Sequence, residues 1–381
     1  MSTKDNSIEQ EQQMPELEKN NQLPENESVY QKSYIRLRPG MFIGRIGDGS
    51  NPDDAIYSML KEIVDNAVDE FLMGFGERID ITLEQGMVSV RDYGRGIPLE
   101  KLLKCVTKFS PIWKADTADY VFYNIGRAGA GTKVVNALSS KFEITTWREG
   151  KCRTALFHEG ELIHDKDIDP GEEKSGTLVC FIPDSKIMAN FKYYLPFIEK
   201  RLHTYACLNK GLSLYLNGKR FYSPYGLLDL IKGNHVDGKN NYPPFSFYYK
   251  KPGLEFVICP VTTGAKNHFY SFVNGQYTNE GGTHLSAFRK GIKQAINLYF
   301  KKKYALHEIQ RCIGGALSLW IQDPFFETCT RSKLTNSDVQ NFISSAVIKS
   351  FLNYLDDNPD KANVFLNELE KIRKTDEESL F

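Results

Sequence analysis

The stretch AIYSMLKEIVDNAVDEFLMG, from Ala55 to Gly74, has the periodicity of one long amphipathic helix. Its apolar residues recur three and four positions apart and form one stripe: Ile56, Met59, Leu60, Ile63, Val64, Ala67 and Phe71. At about 100° per residue, Glu62, Asn66 and Asp69 share the opposite side. The sequence therefore predicts a helix that packs on a core and presents carboxylates and a carboxamide on its other face.

Three further segments contain residues suited to a polar, phosphorylated ligand. VSVRDYGRGIPLEKL (Val88 to Leu102) is a strand ended by Asp92 and a turn whose glycines allow close backbone approach. GRAGAGT (Gly126 to Thr132) precedes a helical run, and a glycine-rich turn that opens a helix offers unpaired amides to phosphate. SGTLVCFIPD (Ser175 to Asp184) is a strand with a hydroxyl at its start. Each segment alone also fits a solvated face, a turn cap or a surface loop, so the argument rests on their order and spacing.

In this order and spacing, the four segments resemble the nucleotide-binding motifs of the GHKL ATPases. This superfamily contains gyrase B, the MutL repair proteins, the ninety-kilodalton heat-shock chaperones and the sensor histidine kinases. Within it the chain is most similar to the B subunits of bacterial type IIA topoisomerases, gyrase or topoisomerase IV. The similarity extends from about Tyr34 to about Asp357 and includes IRLRPGMFIG (Ile35 to Gly44), SFVNGQYTNEGGTH (Ser271 to His284) and PFFETCTRSKL (Pro324 to Leu334). The first of these is expected to be a loop with a turn at Pro39 and Gly40, and Arg78 to Arg91 two strands around a hairpin turn at Gln85 and Gly86.

The resemblance implies an α+β chain with two domains. Residues 30–202 are expected to form a GHKL (Bergerat) α/β sandwich, and hairpins rather than regular βαβ units favour the same class. Residues 203–381 are expected to form a smaller α+β transducer domain with a ribosomal-protein-like fold and C-terminal helices. Residues 1–29 lack periodicity and are expected to be a disordered arm, which in this family reaches over the partner protomer.

The resemblance also implies roles in ATP binding and hydrolysis with Mg²⁺. Glu62 matches the glutamate that activates water, and Asn66, one turn later, matches the magnesium ligand. Asp92 matches the aspartate that accepts a hydrogen bond from the adenine amino group, assisted through water by Thr177. The rest of the pocket would consist of a purine wall of Gly96, Ile97 and Pro98, Arg95 over that wall, and Glu70 and Arg148 at the mouth.

A phosphate-binding lid and a sensor residue complete the implied site. The lid would comprise Gly126, Gly129 and Gly131 at the family spacing, Thr132 at the following helix, the γ-phosphate lysine Lys114, and a tyrosine that is Tyr120 or Tyr123. Arg331 stands where the family has a lysine that senses the γ-phosphate, and arginine keeps the charge but not the shape of lysine.

The lid also departs from the family pattern. Residues 110–113 read Ser-Pro-Ile-Trp where the family usually has a histidine, an alanine and two glycines, and residues 125–131 are also altered. Proline and tryptophan are stiffer and bulkier than paired glycines, so nucleotide binding is expected to survive these changes better than turnover.

Composition bounds the function without deciding it. Lys plus Arg and Asp plus Glu are both 48, so contact with double-stranded DNA must be local rather than driven by bulk charge. Seven cysteines without a C-x-x-C pair suggest reduced thiols. No apolar run approaches a membrane span and the N-terminus is not signal-like, so we expect no membrane contact and a cytoplasmic, nucleoid-associated location.

The sequence thus predicts the ATP-hydrolysing gate of a type IIA topoisomerase B subunit, which dimerises on ATP and drives DNA strand passage with an A subunit. In the family a Toprim domain would follow Phe381 and the cleavage tyrosine lies on the A subunit. This polypeptide alone is therefore expected to hydrolyse ATP but not to cut DNA. Two alternatives remain open: a standalone GHKL clamp in repair or phage defence, and a nucleotide-binding dimerisation module with little turnover.

Overall fold

The computed structural model describes residues 32–107, 131–234, 245–250, 253–260, 269–327 and 331–378. An eight-stranded sheet, a five-stranded sheet and a two-stranded ribbon organise these residues, and helices pack on both large sheets. The described part of the chain is therefore α+β, as predicted.

The eight-stranded sheet forms the first half of the chain. Its strands are β1 Arg78–Glu84, β2 Met87–Asp92, β3 Ser139–Arg148, β4 Lys151–His158, β5 Glu161–Ile168, β6 Gly176–Pro183, β7 Ser213–Leu216 and β8 Lys219–Phe221. They lie in the order β5-β4-β3-β6-β2-β1-β7-β8, with β1 and β7 parallel and the other neighbours antiparallel. The predicted hairpin is confirmed at Gln85 and Gly86, whose φ angles of 48° and 85° suit a tight turn between β1 and β2.

Helices cover one face of this sheet. They are α1 (residues 32–37), α2 Gly40–Ile43, α3 Ala55–Leu72, a 3₁₀ turn Leu99–Lys101, α4 Leu102–Thr107, α5 Gly131–Ala137 and α6 Leu195–Leu208. The long helix predicted from Ala55 is confirmed as α3, and its apolar stripe lies in the first hydrophobic core.

The segment IRLRPGMFIG, expected to be a loop around Pro39, is instead helical on both sides of that proline. Proline suits the start of a helix because its missing N–H would have no intrahelical partner there. Ile35 and Ile43 anchor the two short helices in the first core.

The predicted domain boundary after residue 202 falls inside α6, so its position is wrong for the first sheet. Strand β7 follows α6 and pairs with the edge of β1, which would otherwise expose unpaired backbone groups. Leu202, Tyr205 and Leu214 belong to the first core. The first sheet therefore continues to Phe221.

The five-stranded sheet forms the second half. Its strands are β9 Phe245–Lys250, β10 Gly253–Pro260, β11 Phe269–Val273, β12 Gln276–Tyr277 and β14 Ile313–Leu319, and the ribbon is β13 Gly281–Gly282 with β15 Lys333–Leu334. The sheet order is β12-β11-β14-β10-β9. The helices are α7 Leu227–Asn234, α8 Thr283–Phe300, α9 Leu306–Gln310, α10 Val339–Asp357 and α11 Pro359–Glu378, which confirms the two predicted C-terminal helices.

Both faces of the second sheet are covered, because successive side chains of a strand point to opposite faces. Phe256 on β10 packs in a core with α8 and α10. Its neighbour Val257 belongs to a third apolar cluster with Cys207 of α6, Leu227 of α7 and Phe272 of β11. We call this group the bridging cluster, because it joins helices α6 and α7 to the second sheet.

Among the described helices, none combines enough length and apolar character to cross a lipid bilayer.

Candidate functional site

Helix α3 brings Glu62 and Asn66 against the start of α5. The Asn66 Nδ2 group donates to the Glu62 backbone oxygen and to Thr132 Oγ1, both at 2.9 Å. Gly131 lies so close to Glu62 that an added Cβ would overlap the Glu62 carboxylate. These residues from two predicted motifs therefore meet at one point.

The Glu62 carboxyl is almost enclosed. Burial raises the pKa of Glu62 above its ordinary value, and the charges of Asp65 and Asp69 raise it further. Lys61 and Arg331 oppose this rise, so the balance of four neighbouring charges tunes a group held largely away from water. A carboxyl with a raised pKa is a better proton acceptor once it is ionised.

Arg331, in the second half of the chain, acts electrostatically on Glu62. It precedes β15 and has a φ angle of 59°, in the left-handed region that a non-glycine residue rarely adopts. Its effect on the Glu62 pKa places the guanidinium within electrostatic range of that carboxyl. The predicted sensor position is thus near Glu62, across about 270 residues of sequence.

Asp92 forms the other end of the site. One carboxyl oxygen accepts hydrogen bonds from the backbone N–H of Gly94 at 2.9 Å and of Thr177 at 3.2 Å. Burial raises the pKa of Asp92 to about 7, with Glu70 adding to the rise, while these two amides and Arg91 lower it. The Thr177 backbone therefore contacts Asp92 directly.

The turn after Asp92 is fixed by β3. Gly96 has a φ angle of 73°, and an added Cβ would overlap the backbone oxygen of Trp147. The Thr146 hydroxyl accepts a hydrogen bond from the Ile97 N–H at 2.7 Å and donates to the Ile97 oxygen at 3.2 Å. Gly96, Ile97 and Pro98 are thus held as one surface beside Asp92.

Two arginines hold the rim of this turn. Glu70 accepts from Arg95 Nε at 3.1 Å and from Arg95 Nη2 at 3.0 Å, a bidentate pair that joins α3 to the turn. Arg148 Nη1 donates to the Gly96 oxygen at 3.0 Å. The Glu70–Arg95 pair and Arg148 therefore both hold this turn, and their role at a pocket mouth stays a prediction.

Residues 51–186 match the family model described as "Histidine kinase-, DNA gyrase B-, and HSP90-like ATPase", and residues 233–379 match the model "DNA gyrase B". A relative from Borreliella burgdorferi, named as the B subunit of DNA topoisomerase 4, is 44% identical over 317 residues, which is 83% of this chain and 52% of the relative. The chain belongs to the GHKL ATPases of the gyrase B type.

Two further comparisons agree with this family. The DNA gyrase B subunit of Archaeoglobus fulgidus is 32% identical over 87% of this chain and 56% of that protein. The solved 43K ATPase domain of Thermus thermophilus gyrase B, in complex with an aminocoumarin, superposes with a TM-score of 0.72 and 26% identity over 91% of this chain and 96% of that one. The chain spans about half the length of the curated relatives it matches. These likenesses confirm the predicted GHKL fold.

Part of the gyrase B-type lid lies outside the described residues. This part includes Lys114, Tyr120, Tyr123, Gly126, Gly129 and the altered residues 110–113 and 125–130. Their roles stay predictions.

Two residues that support the site were not predicted from the sequence. Thr146 was missed, although strand alternation places it on the same face of β3 as Arg148. Arg91 was also missed: its buried guanidinium stacks on Trp147 and Tyr93 and donates to the Asp92 backbone oxygen. Its position one residue before Asp92 was the available signal.

Proposed function

We propose that this chain binds and hydrolyses ATP as the gate portion of a type IIA topoisomerase B subunit. The observation that carries the proposal is the span of α3. Glu62 and Asn66 contact the start of α5, whereas Glu70, two turns later, holds the turn that follows Asp92. Glu62 and Glu70 are eight positions apart, which corresponds to about 12 Å of helix, the scale of an extended nucleotide.

Glu62 acts at the hydrolytic end. Its enclosed carboxyl, with a pKa raised by burial, is suited to orient a water molecule and accept its proton during attack on the γ-phosphate. Arg331 and Lys114 of the lid would compensate negative charge on that phosphate. Gly131 lets the α5 backbone approach the Glu62 carboxylate closely, because a Cβ at this position would overlap that carboxylate.

The Asn66 side chain has the chemistry required for Mg²⁺. Its Nδ2 group donates to Thr132 and to the Glu62 backbone, so Oδ1 is the atom of this side chain that can act as an oxygen ligand. Bound magnesium would supply charge compensation for the phosphates. One protein oxygen suffices because magnesium keeps several waters and uses phosphate oxygens as well.

Asp92 acts at the adenine end. The amides of Gly94 and Thr177 fix one oxygen of its carboxyl, which orients the group toward an amino donor. Ile97 and Pro98 form the apolar wall for the purine, and the Glu70–Arg95 pair and Arg148 close the mouth. The Thr177 side chain assists Asp92 through water.

The assembly proposed for this chain follows the names of its relatives. Two copies close on ATP with the arm of residues 1–29 reaching over the partner, and the part after Phe221 acts as the transducer. An A subunit and double-stranded DNA are the partners, and the location is the bacterial cytoplasm at the nucleoid. The relatives named as the B subunits of DNA topoisomerase 4 and DNA gyrase support this assignment.

Phosphate release from ATP and Mg²⁺, measured across a range of protein concentrations, tests the proposal. Turnover should rise faster than linearly with concentration, because the active form is a dimer. Glu62→Gln keeps the size of the side chain and removes its basicity, so turnover should fall at least about 100-fold. ATP affinity of that variant, measured by calorimetry, should stay near that of the parent protein.

Asp92→Asn is the complementary variant, because it should weaken binding first. If the parent protein binds ATP but releases phosphate no faster than Glu62→Gln, the enzyme assignment fails and a binding module remains. If neither protein binds ATP, the nucleotide site itself is wrongly assigned.

A further inference from the structure

The buried carboxylate of Asp65, beside Glu62 and Asn66, makes contacts that have no role in the hydrolysis proposed above. Asp65 on α3 is 2% exposed, and it lies directly before Asn66. Lys61 Nζ and the Tyr205 hydroxyl of α6 both donate to its carboxyl. Gln276 Nε2 of β12 is the third donor, at 3.4 Å from Oδ2. A buried carboxylate requires such partners, so these side chains act as one group.

Gln276 belongs to the second sheet, and it is presented to α3 by a rigid turn. The Asn274 side chain donates to the Ile321 oxygen at 2.8 Å and accepts from the Ile321 N–H at 2.9 Å. Gln276 itself pairs with Val273 across the turn. It is 8% exposed, so its amide is fixed by packing as well as by hydrogen bonds.

Asp65 connects this turn to the hydrolytic end of the site. It lies one residue from Asn66 and one helical turn after Glu62, so a displacement of its carboxyl displaces the turn of α3 that carries both. Its charge also contributes to the raised pKa of Glu62, together with Asp69 and against Lys61 and Arg331. Burial and the Asp65 charge raise the pKa of Tyr205 well above its ordinary value, so its hydroxyl remains a donor at any working pH.

We propose that Gln276 is a positioning residue for ATP hydrolysis, which from the second sheet holds Asp65 and thereby the turn of α3 that carries Glu62 and Asn66. This inference rests on the proposed function. It adds a second route, separate from Arg331, by which the second half of the chain sets the rate of hydrolysis.

Gln276→Met tests the inference because methionine keeps the length of the side chain and removes its donor. Steady-state ATP hydrolysis by the full chain should show kcat reduced about five- to tenfold, the size of one coupling between neighbouring groups, with KM within about twofold. The matched control is Tyr277→Phe, the next residue on β12, whose half-exposed ring packs against Phe272 of β11. Its kcat should equal that of the parent.

A double-mutant cycle separates positioning from a general packing defect. In an Asp65→Asn background, Gln276→Met should produce a smaller loss of kcat, since the charged acceptor that Gln276 holds has become a weaker, neutral amide oxygen. Tyr205→Phe removes another donor to Asp65 and should also reduce kcat, which tests the role of this carboxylate if Asp65→Asn folds poorly.

Three results would overturn the inference. If Gln276→Met keeps the parent kcat while Glu62→Gln abolishes turnover, the positioning role is rejected and the proposed function stands. Equal losses of kcat from Gln276→Met with and without the Asp65 carboxylate reject the route through Asp65. A parent protein that releases no phosphate rejects the proposed function and this inference with it.

Discussion

Asn66 Nδ2 lies 2.9 Å from Thr132 Oγ1, and this contact joins the helix that carries Glu62 to the helix that follows the glycine-rich turn. The two residues are separated by 66 positions in the sequence. The Glu62 backbone oxygen, which can only accept, also receives a hydrogen bond from the same Nδ2 group, so the two contacts together orient the Asn66 amide. The orientation of one amide thus depends on how α5 is seated on α3.

The first prediction concerns this contact. Thr132→Val keeps the shape of the side chain and removes one of the two acceptors described for Asn66 Nδ2, so the Asn66 amide is oriented less firmly. We expect kcat for ATP hydrolysis to fall about fivefold, which corresponds to one neutral hydrogen bond of about 1 kcal/mol. Thr132→Ser keeps the hydroxyl and should retain parent activity. Equal rates for the valine and serine variants would show that the amide is oriented by other contacts.

The second prediction concerns Gly131. In Gly131→Ala the new methyl group displaces the Glu62 carboxylate, and a displacement of about 1 Å can reduce catalysis about 100-fold. The fold should survive, because the overlapping carboxylate is the far end of a flexible side chain. The control is Gly40→Ala in α2, where an added Cβ meets nothing within 4 Å. Thermal unfolding and phosphate release are measured for both variants. Parent-like turnover in Gly131→Ala would contradict the prediction.

The third prediction concerns pH and follows from the Asp92 pKa of about 7. The folded protein keeps a proton on Asp92 that the unfolded chain releases near pH 4, so the free energy of unfolding falls as pH rises from about 4 to 7. The contribution of this group is about 4 kcal/mol at most and is constant above pH 7. Asp92→Asn should show a flatter dependence over that window and greater stability above it, measured by urea unfolding without nucleotide.

The same carboxyl should link nucleotide binding to proton release. An amino donor favours ionised Asp92, so ATP affinity should rise between about pH 5.5 and 7.5 and binding near pH 6 should release a proton. Calorimetry in two buffers of different ionisation enthalpy measures this proton. Proton uptake, or a release that persists in Asp92→Asn, would reject the assignment of Asp92 as the group that meets the base.

The fourth prediction concerns Thr146. Thr146→Val leaves the buried N–H of Ile97 without its acceptor, which costs about 1–3 kcal/mol and loosens the wall beside Asp92. We expect ATP affinity to fall about tenfold with it. Thr145→Val is the matched control, because its hydroxyl donates to Thr154, on the other face of β3. An equal loss of affinity in both variants would show that sheet stability, rather than the wall, is responsible.

The sequence predicted those features that depend on local pattern. Helix α3, the hairpin at Gln85 and Gly86, and the order of motifs that unites Glu62, Asn66 and Asp92 all follow from spacing along the chain. The contacts of Thr146 with Ile97 and of Gln276 with Asp65 could not be predicted, since they depend on sheet register and on the packing of distant segments. The domain boundary was misplaced for the same reason: only the structure shows that β7 pairs with β1.

The bridging cluster has a mechanical consequence. Leu227, Val257 and Phe272 are at most 2% exposed, so the second sheet is tightly packed where it contacts α6 and α7. A force applied to the C-terminal helices is therefore transmitted to the first sheet, because the two halves do not rotate freely about a hinge. The two halves should also melt together, in one cooperative calorimetric transition, because neither sheet can lose its packing without exposing the apolar surface of the other.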